Sequence, residues 1–304
     1  MRCLVIGYGS IGKKHAEILL QLKFYVSLVT SQKVDIFKCY SSVEAAFNDD
    51  TFDYIVIANA TFSHHETLLK LIQCHYSGIV LVEKPLFSKI EKLPEHSIKK
   101  IIVAYNLRFH ELLRHTKNIL NQEKIISFSA YVGQYLPTWR KEIDYRQCYS
   151  ASKELGGGVL RDLSHELDYS TWLCGRCLDV TAMGGQLSLL EITSDDVYSI
   201  LMKCESAPIV NLQLNYLDRI SRREILVHTE QSTLWIDFIK GTLSINGKIE
   251  KSCVDGVRQS YVNQHEAILK GEFEHFCDYD HGLDVVRLID VIESTSKSKS
   301  WMTV

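Results

Sequence analysis

Lys84 stands between Glu83 and Pro85, directly after the apolar run Ile79-Val80-Leu81-Val82. A short uninterrupted run of that kind reads as a strand buried on both faces. A lysine at the carboxyl end of such a strand lies where open parallel sheets bind ligands. Its ammonium can polarise a hydroxyl or carbonyl oxygen during hydride transfer. The competing reading is a surface loop lysine. A second chemistry-bearing group follows the triple glycine Gly156-Gly157-Gly158, where Asp162, His165 and Asp168 recur at intervals of three. On one continuous helix that spacing puts them near a common face and leaves Leu160, Leu163, Leu167 and Trp172 for the core. An imidazole beside carboxylates can take up or return a proton near neutral pH.

Hydride chemistry needs a carrier, and the first eighteen residues supply a place for one. Leu4-Val5-Ile6 reads as a buried strand, Gly7-Tyr8-Gly9-Ser10-Ile11-Gly12 as a turn, and the residues through Ile18 as the start of a helix. This is the dinucleotide signature in its proper setting. Gly7 permits the tight turn, Gly9 lets the backbone approach a pyrophosphate, and Gly12 lets helix and strand pack closely. Gly7, Gly9, Ser10, Ile11 and Gly12 are therefore expected to contact the cofactor, whose anion meets free N–H groups at the helix start. Tyr25 to Val29 reads as the second strand, and its end should meet the adenosine ribose. Thr30, Ser31, Gln32 and Lys33 stand there without a carboxylate, which favours NADP over NAD, while Asp35 or a water serving the ribose of NAD is the other reading. Tyr54 to Ala58 is another apolar strand, closed by Asn59, Ala60 and Thr61, and these three are also assigned to the cofactor. His64 reads as a further cofactor contact and His65 as surface.

Composition narrows the class. The chain has 304 residues, enough for two domains, and 46% hydrophobic with 23% charged residues is ordinary for a globular protein. A net charge of -3 gives no nucleic-acid footprint, and no apolar run approaches a membrane span of about 20 residues. The first residues form a core strand rather than a signal peptide, so cytoplasm is the expected location. Nine scattered cysteines fit reduced thiols. Cys174-Gly175-Arg176-Cys177 lacks a second ligand pair, and no metal site is assigned.

Helix–strand alternation gives way after about Ile125 to many strands. The fold class expected is α/β: an N-terminal Rossmann dinucleotide-binding domain, residues 1–118, and a C-terminal α+β domain with a large, mostly antiparallel sheet, residues 119–304. Tyr135 to Ser152 is rich in aromatic and charged residues, including Trp139, Arg140, Tyr145, Arg146 and Tyr149. Their rings can stack on a sugar or base and the arginines can bind a diphosphate, though such a loop can also pack on its own domain. Arg108, after the strand Ile101 to Ala104, either holds a substrate anion or forms an interdomain salt bridge. Helices are expected at about 263–278 and 283–294, with His265 and His275 on the surface.

The glycine turn, Asn59-Ala60-Thr61 and Glu83-Lys84-Pro85 at this spacing resemble the Gfo/Idh/MocA family of NAD(P)-dependent oxidoreductases, over nearly the whole chain. The resemblance implies that Lys84 is catalytic, that the bond to Pro85 is cis, and that Glu83 lies with the cofactor residues. It implies Asp162 and His165 as the rest of the catalytic set. Asp162 is three residues before His165 where many members have four, so His165 transfers more safely. Substrate contacts follow as Lys84, Arg108, Trp139, Tyr145, Arg146, Tyr149, Asp162 and His165. The segments around Tyr145-Arg146, Tyr149-Ser150-Ala151 and Ser164 to Asp168 resemble a branch associated with nucleotide-sugar and surface-glycan synthesis. The function implied is hydride transfer to or from a secondary alcohol or ketone of a sugar, nucleotide-linked, by a homodimer or homotetramer. A cyclitol or free-sugar dehydrogenase and a non-catalytic dinucleotide sensor of the same fold stay open.

Overall fold

The computed structural model describes residues 1–139 and 143–304; Arg140 lies outside the described residues. In chain order the strands and α-helices begin β1 (Arg2–Ile6), α1 (Ser10–Gln21), β2 (Tyr25–Val29), β3 (Lys38–Tyr40), α2 (Val43–Asp49), β4 (Tyr54–Ile57), α3 (His64–Gln73), β5 (Ile79–Val82) and β6 (Lys100–Val103). There follow α4 (Glu111–Leu120), β7 (Ile125–Gly133), α5 (Val159–Asp162), α6 (His165–Cys174), β8 (Cys177–Gly185), β9 (Val197–Cys204), β10 (Ala207–Asn215) and β11 (Arg222–Thr229). The chain ends through β12 (Thr233–Asp237), β13 (Thr242–Ile245), β14 (Lys248–Ser252), α7 (Gly256–Lys270), β15 (Cys277–Asp278), α8 (Tyr279–Ser298) and β16 (Met302–Thr303).

Two compact units result. The first comprises Met1–Asn106 with Tyr261–Val286, and the second Leu107–Ser260 with Arg287–Val304. Unit one is built on a seven-stranded sheet ordered β15-β6-β5-β4-β1-β2-β3. All pairs from β6 to β3 are parallel, the doubly wound order in which the crevice opens at the reversal between β1 and β4. Every residue of β4 is buried, and so are all but the first of β1 and β5, which is why their apolar runs are unbroken rather than alternating.

Unit two has a nine-stranded sheet in the order β14-β13-β12-β11-β7-β10-β9-β8-β16, antiparallel except for the parallel pair β7/β10. Its strands alternate, as in β9 where Tyr198, Ile200, Met202 and Cys204 are buried, and α6 packs on β7 and β10. The α/β class, the Rossmann unit and the large mostly antiparallel sheet are as expected.

Three local expectations need correction. The helix expected at 263–278 runs from Gly256 to Lys270 and stops at Gly271, whose φ of 71° is left-handed; Cys277 and Asp278 then pair antiparallel with Val103 and Ile102. His265 is fully buried, not on the surface. The helix expected to carry Asp162, His165 and Asp168 on one face is broken: α5 ends at Asp162, Leu163 leaves helical geometry at φ −102°, ψ 27°, and α6 starts at His165. Asp162 and His165 thus sit on two elements, and α6 is buried except at Thr171 and at Trp172, which was expected in the core, with Glu166, Asp168 and Ser170 as enclosed as Leu167.

Candidate functional site

The glycine turn separates what the chain itself requires from what it leaves open. Gly7 has φ 94°, and a Cβ there would lie 2.6 Å from the Asn59 nitrogen. A Cβ on Gly12 would lie 2.0 Å from the Gly7 carbonyl oxygen, so strand and helix touch through it. Gly9 has nothing within 4 Å of its Cβ position. No side chain caps α1, which begins at Ser10 and Ile11 immediately after it. A twelve-residue helix that presents its positive end to an open, glycine-floored space fits a pyrophosphate.

At the end of β2 the Thr30 hydroxyl accepts from the Gln32 N–H at 3.1 Å, and the Gln32 side chain donates to the Tyr8 carbonyl at 3.1 Å. Gln32 thereby ties the end of β2 to the glycine turn, a role that no spacing rule singles out. Ser31 and Lys33 are exposed. At the end of β4 the Asn59 side-chain amide donates to Thr67 at 2.8 Å, while its side-chain oxygen Oδ1 has no hydrogen-bond partner among the described residues. Ala60 is exposed and Thr61 starts the turn into α3.

His64 is buried with Nε2 3.2 Å from the Asn59 carbonyl and Nδ1 3.2 and 3.1 Å from the carbonyls of Pro85 and Leu86. Burial lowers its pKa against the upward pull of those carbonyls, and a neutral ring, with a single N–H, donates either to the Asn59 carbonyl or to the Pro85 and Leu86 side, not to both at once. The Lys84–Pro85 bond is cis and Lys84 is half-buried. Glu83 is buried; its carboxylate takes a hydrogen bond from His15 at 2.7 Å and one from the Lys84 backbone N–H at 3.1 Å. Burial pushes the Glu83 pKa up, but His15 and the Lys84 charge outweigh it and the carboxyl lies below its ordinary value.

In the second unit the triple glycine packs on its own domain. A Cβ on Gly157 would be 2.0 Å from the Tyr149 carbonyl, and Gly158, at φ 123°, abuts Asp195. Asp195 accepts from the Leu160 N–H at 3.1 Å and so holds the start of α5. Asp162, at the other end of α5, accepts a 2.6 Å hydrogen bond from the hydroxyl of Tyr216, a fully buried residue just past β10. Burial, then the Asp162 charge, push that phenol well above its usual range. Trp139 meets the Tyr216 ring edge-on at 5.1 Å, which brings the aromatic loop and Asp162 together.

His165 opens α6, and two ion pairs fix that helix, one buried and one part-buried. Arg108 makes a fork with Asp168, with contacts of 2.7, 3.0 and 3.1 Å, and Arg223 pairs with Glu166 at 2.7 and 3.0 Å. Arg108 and Asp168 belong to the same unit. Arg146 pairs with Asp144 and Glu191 on the surface, the Tyr145 hydroxyl accepts from the Glu191 N–H, and Tyr149 is exposed. Trp139, Tyr145, Cys148 and Ser150 line a small cleft. A larger cleft of about 590 Å³ lies at the opposite ends of β2 and β3, lined by Arg2, Tyr25 and Lys38, and contains none of the expected site residues.

The sheet order, the open glycine turn and the lysine at the end of β5 define a dinucleotide-binding oxidoreductase. The chain belongs to the Gfo/Idh/MocA family: residues 1–99 match its model described as "Oxidoreductase family, NAD-binding Rossmann fold", and residues 123–243 match the GFO/IDH/MocA C-terminal domain.

Among solved structures, GenD2 from gentamicin A biosynthesis, in complex with NAD, superposes with a TM-score of 0.82 at 19% identity, covering 100% of this chain and 96% of that one. The WlbA dehydrogenase from Bordetella pertussis, in complex with NADH and UDP-GlcNAcA, gives 0.81 at 16% identity, covering 100% and 98%. A levoglucosan dehydrogenase in complex with NADH gives 0.83 at 15%, covering 100% and 99%. At these identities the likeness is one of fold. Comparison with curated protein sequences gave no match. No helix among the described residues is long and apolar enough to cross a membrane.

Proposed function

We propose that this oxidoreductase transfers hydride to or from a secondary alcohol or ketone of a sugar, with Lys84 and His165 as its catalytic residues. The observation that carries the reading is the setting of Lys84. It sits at the carboxyl end of β5, its backbone amide held by Glu83, in the unit whose glycine turn stands open. The bound nicotinamide dinucleotide supplies the hydride acceptor or donor. Gly7, Gly9, Ser10, Ile11, Gly12, Asn59, Ala60 and Thr61 are assigned to holding it. Lys84 polarises the substrate oxygen, and His165 accepts or returns the hydroxyl proton at a ring nitrogen. Asp162, anchored by Tyr216, orients or tunes one of them. The hydroxyl of Ser31 and the charge of Lys33, with no carboxylate before Asp35, support a preference for NADP.

Trp139, Tyr145, Arg146 and Tyr149 support a nucleotide-linked sugar, as does UDP-GlcNAcA in the WlbA structure. A second reading, an uncharged sugar or cyclitol, is favoured by the ion pairs that occupy Arg108 and Arg146. Thermal melting with NAD, NADP, UDP-GlcNAcA and levoglucosan, singly and in pairs, separates these readings, because a ligand that binds the native state raises the melting point. A shift needing dinucleotide plus sugar nucleotide supports the first, and one with levoglucosan the second. Turnover of the responding pair by Lys84→Met and His165→Ala at near wild-type rates would remove the catalytic assignment, and equal use of NAD and NADP the cofactor preference.

A further inference from the structure

A chain of buried hydrogen bonds runs through the first unit to the backbone of Lys84. The Tyr54 hydroxyl lies 3.0 Å from Nδ1 of His265, Nε2 of His265 lies 2.8 Å from Nδ1 of His15, and Nε2 of His15 lies 2.7 Å from Glu83. The other Glu83 oxygen accepts from the Lys84 N–H. Tyr54, His15 and His265 are all 0% exposed. These residues come from β4, α1, α7 and the end of β5, so the chain joins the helix of the glycine turn to the lysine.

With both imidazoles neutral the chain can be protonated in two directions, and its far end decides between them. If Tyr54 donates, His265 accepts on Nδ1 and donates from Nε2, His15 does the same, and Glu83 receives as a carboxylate. Every donor then has an acceptor with both imidazoles neutral. In the reverse direction Glu83 must be a protonated acid and His265 donates to the Tyr54 oxygen. The Tyr54 proton then has no acceptor, since that hydroxyl has no other hydrogen-bond partner among the described residues. An unsatisfied buried donor costs about 1–3 kcal/mol.

We propose that Tyr54, His265 and His15 are positioning residues: together they fix the direction of this hydrogen-bond chain, lock Glu83 as an anion, and so hold Lys84 charged and its backbone in place. The proposal rests on the reading of Lys84 as the residue that polarises the substrate, which needs an ammonium. The Glu83 and Lys84 charges act on one another, so losing the Glu83 charge makes Lys84 easier to deprotonate. Other groups face the chain. Lys14 lies over the Tyr261 ring, which meets His15 edge-on; His64 from α3 feels the Glu83 charge; Cys3 and Tyr76 flank Tyr54. None of them offers Glu83 or Tyr54 a hydrogen bond.

Two measurements on the full chain test this without a substrate. Nitrogen-15 NMR of the histidine rings should show His15 and His265 both neutral with the proton on Nε2; a proton on Nδ1 of His15 overturns the proposal. Competitive acetic anhydride labelling of the Lys84 amine, followed against pH by peptide mass, should shift to lower pH by about one unit or more in Glu83→Gln, Tyr54→Phe and His265→Leu. His265→Gln, which keeps a donor toward His15, should label as the wild type. A shift in Glu83→Gln alone, with Tyr54→Phe and His265→Leu folded and unshifted, also overturns it. Where a variant fails to fold, the wild-type NMR result decides. Turnover by Lys84→Met bears on the proposed reaction and leaves both readouts untouched, so the two ideas fail separately.

Discussion

Gly9 and Gly12 of the nucleotide turn should respond in opposite ways to alanine. Gly9 has φ −73° and ψ −169°, an extended conformation open to any residue, and empty space where a Cβ would go. Gly9→Ala should therefore fold at least as well as the wild type. A compatible Gly→Ala change stabilises by about 0.4–1 kcal/mol through the unfolded chain, or roughly 1–4 °C in melting temperature. The same methyl occupies the space assigned to the pyrophosphate. Losing one charge-assisted hydrogen bond there, about 1.5–3 kcal/mol, weakens dinucleotide binding roughly 10- to 150-fold. Gly12→Ala does the reverse, because its Cβ would meet the Gly7 carbonyl at 2.0 Å and that contact must open by more than an ångström. Overpacking of this kind costs about 1–3 kcal/mol and lowers the melting point by several degrees. Calorimetric titration with NAD and NADP, beside melting curves without ligand, reads both effects. If Gly9→Ala melts normally and binds both dinucleotides within twofold of the wild type, the pyrophosphate does not lie over Gly9.

Two more expectations concern the second unit. The buried His110 ring caps α4 by accepting from the Leu112 N–H, and burial, then the Arg223 charge, push its pKa down to about 4. An unfolded histidine titrates near 6.5, so between pH 6.5 and about 4 the unfolded chain binds the extra proton and stability falls as pH falls, by about 3 kcal/mol at most. His110→Asn keeps a cap and removes the proton site, so its melting temperature should decline less across that window; parallel curves for the two proteins would show that His110 is not the group responsible. Asp168→Asn leaves the buried Arg108 charge uncompensated and should cost about 3 kcal/mol or more, lowering the melting temperature by several degrees, with partial recovery in Arg108→Met/Asp168→Leu. A melting point within a degree of wild type in the single variant would mean that solvent reaches this pair.

What the sequence displayed best is what depends on unbroken local pattern. The runs at Leu4 to Ile6, Tyr54 to Ala58 and Ile79 to Val82 are strands because both of their faces are covered, and the glycine turn reads directly because Gly7 and Gly12 are required by atoms only five residues apart or one strand away. The break between α5 and α6 was hidden, since Asp162, His165 and Asp168 keep a helical spacing through a residue, Leu163, that is not helical. The partnership of His15 with His265 was out of reach: 250 positions separate them, and nothing local links the two. The one sign was His15 itself, three places after Gly12 and on the same buried face as Ala16 and Leu19, where an unpartnered imidazole is costly. The polar residues of α6 misled for the same reason. Glu166 and Asp168 are buried because arginines 57 and 60 positions away meet them.

Those arginines bear on what the substrate can be. Among the described residues of the second unit, Arg108 is paired with Asp168, Arg223 with Glu166, Arg161 with Glu293 and Arg146 with Asp144 and Glu191. A diphosphate that took one of these arginines would have to displace its carboxylate, and the cost differs sharply. Arg108 and Asp168 are 3% and 1% exposed, and stripping that carboxylate of its partner costs about 3–5 kcal/mol, which would consume most of what an arginine–phosphate contact returns. Arg146 is half exposed, and a surface pair is worth about 0–1 kcal/mol, so a phosphate could displace Asp144 or Glu191 at little cost. Of Arg108 and Arg146, Arg146 is therefore the one able to take an anionic substrate. Arg108 serves by holding α6, and with it the imidazole at the start of that helix.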